Sequence, residues 1–446
     1  MLLALLAAIA AALLPTVAAA QPAPTQPPPT SPLTIHIGDA DFLVGGFLDV
    51  VAVTRSTNVA SGLPTTFASI PFENTPQGNL RETRLSSQST RLNVLVTTTV
   101  GDAAVKGFLE TDFLGAGPTN AFVTTNGHTL RLRHAWAQYA QGRFEFTGGQ
   151  AWTLMTPNRN GLSPVTSDVV PTQNLDPNLQ LGLVWARQAQ FRFVAHASKT
   201  VAAGVSIENP QPFVGSAVVL PASFPALEVD TGSTPGAASP YPDIVGKVAF
   251  DPQTGNTHQH VEAAVLVRGF RTYSPSTNQT FSSTGTGVSL GGVIEPVKAV
   301  HVIATALFSS GGGRYMIGQA PDFIVNADAS TTLVGSTSVL AGVEAQVMPM
   351  LMVFGYYGTI RIDRVVATDN GKQIGYGIDG ATAANHTIDE TTAGFNYSFF
   401  KSPQRGALQL ITQYSYLSRT PWSVPAGTPT SAHTHMLYVA ARYVLP

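Results

Sequence analysis

The 446-residue chain has no cysteine, which removes disulfides, thiolate zinc sites and thiol nucleophiles. It is also short of charge. Asp, Glu, Lys and Arg together make up 11% of the residues, against about 25% in a typical soluble domain. Hydrophobic residues are an ordinary 44%, and 41 Gly and 32 Pro, with many small polar residues, take the place of the missing charge. A surface so poor in Lys and Glu is unusual for a protein that stays soluble alone. A net charge of −2 does not support a nucleic-acid footprint, and no nucleic-acid partner is expected. Beyond the N-terminus no apolar run reaches 18 residues, so no transmembrane helix is expected, and amphipathic helical patterns are scarce.

The first charged side chain is Asp39. Before it, an apolar run from Leu2 to Leu14 is broken by Pro15 and ends in Ala18-Ala19-Ala20. That is the layout of a secretory signal over residues 1–20, cleaved before Gln21, although no Lys or Arg precedes the apolar core. Residues 21–38 begin QPAPTQPPPTSP, a proline density that favours extended conformations and forms no packed core. They read as a periplasmic spacer, with the folded unit running over 39–446.

What the rest of the chain has is alternation with a period of two. In RLNVLVTTTV (91–100), Leu92, Val94, Val96 and Val100 share one face and Arg91, Asn93 and Thr97 the other. In HVEAAVLVRG (260–269), Val261, Ala263, Val265 and Val267 lie opposite His260, Glu262 and Arg268. Ala341, Val343 and Ala345 likewise oppose Glu344, and Met352, Phe354, Tyr356, Ile360 and Ile362 oppose Tyr357, Arg361 and Asp363. Such alternation marks strands with one apolar and one wet face. The connections alternate too. Seven are short, and eight are long: around 56–83, 115–127, 153–182, 209–241, 271–284, 309–332, 364–385 and 418–432. Fifteen connections make sixteen strands with both chain ends on the short-turn side, the pattern of an outer-membrane β-barrel.

In lipid every backbone N–H and C=O needs a partner, and a closed antiparallel sheet supplies them all between strands. The fold class is therefore all-β, a transmembrane antiparallel barrel of about sixteen strands, wide enough for an aqueous channel. Aromatic residues near strand ends fit interfacial girdles: Phe108, Phe113, Trp136, Tyr139, Phe144 and Phe146, then Phe395, Tyr397, Phe399, Tyr414 and Tyr416. The last strand, HMLYVAARYVLP, keeps the alternation but ends on Leu445-Pro446 rather than on an aromatic residue.

The stretches RLRHAWAQY (131–139) and QGRFEFTGGQAWTLMTP (141–157), with GFLDVVAV (46–53) and RLNVLV (91–96), resemble the DcaP-like trimeric outer-membrane porins. The likeness covers about residues 41–197, and the remainder agrees in strand pattern only. Phosphate-selective porins are a neighbouring resemblance. The resemblance implies a sixteen-stranded barrel, a homotrimer in the outer membrane of a Gram-negative-type bacterium, a third outer loop folded into the pore, and uptake of small anionic solutes such as dicarboxylates. An N-terminal coiled coil is frequent in that family. Here a Pro-rich segment stands in its place.

In this reading the long connection 153–182 narrows the pore. Pro157, Pro164, Pro171 and Pro177 stiffen it, and its charges are Arg159, Asp168 and Asp176. Arg131 and Arg133, two apart, project to one side. Arg91, Arg192, Arg361 and Arg442 fall in inward phase on other strands. Together these arginines would attract anions and bind carboxylates through forked donors. The other reading pairs them with Glu110, Asp112, Glu262, Glu344, Asp363 and Glu390 in a nearly neutral lumen. His134 and Gln138 share a phase with Leu132 and Trp136, which means either a strand facing a neighbouring subunit or a local bulge.

Enzyme-like matches are weak. Gly287-Val-Ser289-Leu-Gly291 fits a nucleophile elbow in letters, but it lies within an alternating stretch with no helix after it. His258/His260 and His433/His435 each put two imidazoles on one strand face, near strand ends, where solvated rim positions are expected. Gly311-Gly312-Gly313 lacks the context of a phosphate cradle. The expectation is a passive channel with no reaction and no cofactor. A barrel lipase and a surface adhesin or structural barrel are the rivals.

Overall fold

The computed structural model describes residues 31–115, 128–170, 172–224, 237–317 and 319–446. The expected signal, the Pro-rich run up to residue 30, Pro171 and much of the connection 115–127 lie outside the described residues. No described helix is long and apolar enough to cross a membrane.

Sixteen antiparallel strands close into one barrel. They are β1 (Ala40–Arg55), β2 (in two pieces, Glu82–Ser86 and Arg91–Val100), β3 (Ala103–Asp112), β4 (Arg131–Gln141), β5 (Phe144–Trp152), β6 (Arg187–His196), β7 (Val201–Glu208), β8 (Asp243–Phe250), β9 (Thr257–Ser274), β10 (Gln279–Val297), β11 (Val300–Ser310), β12 (Gly335–Met348), β13 (Leu351–Ile362), β14 (Asn385–Ser402), β15 (Gly406–Pro421) and β16 (Ala432–Val444). Each strand pairs with its sequence neighbour, and β16 returns to β1 in the register Phe47↔Val444 to Arg55↔Met436, which removes the free edges. A short strand, Thr34–Ile37, pairs with residues 40–43 below the point where β16 ends, so the sheet begins before Asp39.

The outward face carries an exposed apolar band, with Phe191 and Phe193 on β6, Val261 on β9, Leu290 on β10, Val343 on β12, and Leu437 and Val439 on β16. A closed barrel with such a band is an outer-membrane architecture. Tyr139, Phe144, Phe146, Phe395, Tyr397, Phe399, Tyr414 and Tyr416 are exposed on it as girdle residues. Phe108 and Trp136 are instead buried inward, with ring centroids 5.5 Å apart.

Three sequence expectations change. The connection 271–284 is not a long loop, because β9 and β10 run on together to a tight turn and stay paired up to Ser274↔Gln279. Of the two readings of His134 and Gln138, the local bulge is the one found and the neighbouring subunit is not. The ladder slips between Glu110↔His134 and Thr111↔Leu132, leaving Arg133 as an extra residue. This bulge brings Arg131 and Arg133 inward in one phase and His134, Trp136 and Gln138 inward in the next. Gln138 then donates to Glu145 at 2.9 Å. On β13 the faces are reversed. Phe354, Tyr356, Ile360 and Ile362 are buried inward, while Tyr357 and Arg361 are exposed on the other face. Arg361 is therefore not a pore-lining residue. Apolar residues face inward here because the lumen beside β13 is filled by protein.

The filling comes from the outer loops. Leu63, Phe67 and Ile70 from the first loop, Leu154 and Met155 from the third, and Tyr315, Met316 and Phe323 from the sixth belong to one apolar core. That core also includes the inward residues Val53, Ile360, Leu417 and Tyr438.

Candidate functional site

The third long loop, residues 153–186, crosses the lumen and is held there through its backbone. Inward side chains of the far wall accept its N–H groups. Glu208 takes Leu154 at 2.9 Å, Glu262 takes Asn158 at 3.1 Å, Glu390 takes Leu181 at 2.9 Å, and Gln413 takes Leu175 at 2.5 Å. Asp251, in the turn after β8, accepts the N–H of Gly161 at 3.1 Å. The hydroxyl of Tyr356 accepts the N–H of Gln173, and Ser338 donates to the carbonyl of Gly182. Gly358 on β13 is needed for this approach, since a Cβ there would collide with the carbonyl oxygen of Leu181. Glu262 and Glu390, expected as partners for pore arginines, thus serve the loop backbone instead.

The three charged loop residues have separate tasks. Arg159 donates to Glu344 at 2.7 Å and ties the loop to β12. Asp168 stays within the loop, and burial pushes its carboxyl above the ordinary value against an opposing hydrogen bond from Ser163. Asp176 is buried and accepts from the N–H of Thr65, the N–H of Asn178 and the hydroxyl of Tyr438. Burial raises its pKa too, with those hydrogen bonds opposing. It links the third loop, the first loop and β16.

Between the loop and the wall from β15 and β16 through β1 to β4 a cavity of about 200 Å³ remains. Arg91, Arg133, Arg442 and Asp112 line it from the wall, and residues 172–177 and Leu179 line it from the loop. The charges are layered. Arg131 reaches Asp112 with two hydrogen bonds of 3.0 and 2.7 Å, Arg133 bonds Glu110 at 2.6 Å and Asp112 at 2.8 Å, and Arg442 bonds Asp49 at 2.6 Å. The side chains of Arg91, Arg131 and Arg442 are 25%, 35% and 20% exposed, while those of Glu110, Asp112 and Asp49 are 2%, 1% and 0% exposed. Water meets guanidinium, and the carboxylates lie beneath.

Arg192 is inward but covered. It donates to the carbonyls of Trp152 and Leu162 and to Gln190, and it holds the root of the loop rather than lining a path. Its neighbour Arg187, which sequence reasoning passed over, lies 5.3 Å from the rings of both Trp152 and Trp185. Phe47 and Asp49 were missed as well. Phe47 lies 5.2 Å from the Arg91 guanidinium and 4.1 Å from that of Arg442. The signal for Asp49 was available, because a carboxylate inside a lipid-crossing strand has to point inward. Nothing in the sequence singles out Ser89, Thr172 or Asn174.

His260 is not a solvated rim residue. It is buried between Asp251 at 2.7 Å and Glu262 at 2.9 Å. His433 and His435 are exposed on the outward face. No group of His, Asp and Glu suited to a metal ion occurs among the described residues. Ser289 lies in the middle of β10, without the strand-to-helix turn that a nucleophile elbow needs.

The fold is that of the outer-membrane porins. The DcaP outer membrane channel of Acinetobacter baumannii superposes with a TM-score of 0.66 at 20% identity, covering 91% of this chain and 97% of that one. An anion-selective porin from Comamonas acidovorans superposes with a TM-score of 0.50 at 12% identity, covering 91% and 99%. No family model matches the sequence, and no curated protein matches it.

Proposed function

We propose that the chain is a passive porin for small hydrophilic solutes, with a preference for anions such as dicarboxylates, and that it works as a homotrimer. The observation that carries the anion preference is the layering at the constriction, with exposed Arg91, Arg131 and Arg442 over buried Glu110, Asp112 and Asp49. A solute sliding past meets the forked donors first, and guanidinium stays charged at any working pH. Replacing Arg131→Ala together with Arg133→Ala strands Glu110 and Asp112, so the reversal potential in a planar bilayer should move toward cations. Dicarboxylate flux in liposome swelling should slow, while neutral sugars of similar size keep their rate or gain. An unchanged reversal potential and unchanged flux would remove this pair from the constriction.

The homotrimer rests on strand length. β7 and β8 have 8 residues each and β5 has 9, whereas β9 and β10 have 18 and 19. Eight tilted residues rise about 20 Å, short of an apolar band of about 25 Å. Oligomerisation relieves such a mismatch. The same wall presents Phe144 stacked on Phe193 and Phe146 on Phe191, all exposed. Light scattering should find three copies per particle across several detergent concentrations, and a clean monomer would contradict the contact. A lipase would hydrolyse lipid esters, and a plugged adhesin would pass no current in the bilayer. The channel reading requires current without hydrolysis.

A further inference from the structure

The layering of cation over carboxylate at the arginine wall occurs a second time, with imidazole in place of guanidinium. His196 ends β6, and His258 and His301 stand second in β9 and β11, all at the short-turn end of the barrel. In the porin orientation that end faces the periplasm. Each ring shares the inward phase of buried residues on its own strand: His196 with Arg192 and Val194, His258 with His260 and Glu262, His301 with Ile303. The alternate positions Phe193, Val261 and Val302 are exposed on the outward face. Each imidazole has a carboxylate beside it. His196 Nε2 lies 2.8 Å from Glu145, His301 Nε2 2.9 Å from Glu295, and His258 Nε2 3.4 Å from Asp251. In every pair the ring is the more exposed member. Glu295 also accepts the N–H of His258 at 2.7 Å, which joins two of the pairs. Acid and imidazole thus alternate around the lumen wall from β5 to β11.

The difference from the arginine wall is that imidazole titrates. A guanidinium keeps its charge at any working pH, whereas imidazole changes charge between about pH 5 and 8. With the ring protonated, each pair is neutral and turns its positive member toward water. With the ring neutral, a carboxylate remains uncompensated beneath it. The arc acts through its field over the mouth, so a passing ion need not touch the rings. Other charges surround it. Lys247 pairs with Glu262 at 2.7 Å, and Arg159 of the third loop pairs with Glu344 at 2.7 Å. Arg192 is held by carbonyls, and Glu208 by the N–H of Leu154. Asp168 of the loop and Lys106 of β3 face the arc, as does Arg143, whose carbonyl accepts the N–H of His196. His260 is buried between Asp251 and Glu262, out of the solvent.

We infer that His196, His258 and His301 are specificity-determining residues that make the periplasmic mouth a titratable second filter, in series with the arginine wall. The inference rests on the anion-channel reading and adds a pH dependence that arginine cannot supply. Protonated rings let an anion leave the constriction through a neutral mouth. Neutral rings leave it facing carboxylates. The arginines set the sign of the preference, and the imidazoles set its size.

The test is the zero-current potential of the intact porin in a planar bilayer, read in one potassium chloride gradient at about pH 5.5 and about pH 8.5, either side of the imidazole range. The ratio of chloride to potassium permeability should be about threefold higher on the acid side, the size of three unit charges acting across about 8 Å of salt water. His196→Gln, His258→Gln and His301→Gln together should lose more than half of that rise. Glu145→Gln with Glu295→Gln serves as a second variant. It should lift the alkaline ratio toward the acid value of the unaltered protein, because two of the uncompensated carboxylates are gone. No rise in the unaltered protein overturns the inference. So does a triple variant that keeps more than half of the rise, or a double variant whose alkaline ratio is unmoved. Potassium favoured over chloride at both pH values in the unaltered protein would refute the anion-channel reading instead, whatever the size of the rise.

Discussion

The wall from β16 through β1 to β4 and the wall from β7 to β15 both turn acidic side chains inward, yet they use them differently. On the first, Asp49, Glu110 and Asp112 hold arginines whose outer surfaces meet water. On the second, Glu208, Glu262 and Glu390 accept backbone N–H groups of the inserted loop. Counting inward charges therefore gives a near balance that says nothing about selectivity. The partner of each carboxylate matters more than its sign. An acid beneath an arginine positions a cation, and an acid spent on a backbone amide positions a loop. In the proposed function one wall sets what passes, and the other sets how wide the passage is.

The sharpest way to separate the two roles is Gly358→Val on the packing wall. The new side chain needs the space of the Leu181 carbonyl, so the loop has to leave the wall. Single-channel conductance should change, on the order of twofold or more, because the loop is what narrows the lumen. An unaltered conductance would mean that the loop does not set the bore.

A second substitution strikes the outer loops. Arg268 is fully buried and paired with Asp243 at 3.1 Å and Asp322 at 2.8 Å. Arg268→Leu leaves both carboxylates without their cation, at a cost of about 3–5 kcal/mol. Thermal unfolding in detergent should start well below that of the unaltered barrel. The ion selectivity of channels that still assemble should not move, since the arginine wall is untouched.

Smaller effects sharpen the comparison further. Glu344→Gln weakens the hold of Arg159 on β12. Conductance noise should rise slightly while the reversal potential stays within error, and a clear selectivity change would contradict the division between the walls. The pH response is smaller still. Burial would raise the Asp251 carboxyl, but hydrogen bonds from His260 and the N–H of Gly161 outweigh it and hold the group below its ordinary value. A depressed pKa in the folded state contributes stability above the unfolded value and loses it as pH falls through the folded one. The hold on Gly161 should therefore persist through mildly acidic pH and loosen only below the usual aspartate range. Conductance recorded down a pH series should show the Asp251 contribution only there, after any change from Asp176, whose raised carboxyl protonates first, and in an Asp251→Asn variant that lowest step should be missing.

Much of the fold was legible because period-two alternation and the alternation of short and long connections are both local in sequence. The outward faces of 91–100, 260–269 and 340–347 read correctly since lipid tolerates few polar groups there. What failed did so for identifiable reasons. A one-residue bulge at Arg133 moves every later side chain of β4 to the opposite face; the polar phase of His134 and Gln138 signalled it but left a subunit contact open as the other reading. The faces of β13 were inverted because an inward residue packed on a loop is as apolar as one facing lipid, which misplaced Arg361. The turn at 274–279 ends a hairpin of two long strands, which cannot be told from a loop when the strand tips are polar. Arg91, Arg133, Arg442 and Asp112, expected inward from their phase, line the cavity beside the third loop. Thr172 and Asn174 were not singled out, because their positions depend on contacts with residues far away in sequence, such as the bonds from Gln173 to Tyr356 and from Leu175 to Gln413.

Exposed guanidiniums over buried carboxylates should make the path selective for anions. The zero-current potential of the unaltered porin in a planar bilayer, across a tenfold gradient of potassium chloride at neutral pH, tests it most directly. The expected sign is the one that reports chloride as the more permeant ion, with a magnitude that shrinks as total salt rises and screens the arginines. A potential of the opposite sign, or none at low salt, would contradict it.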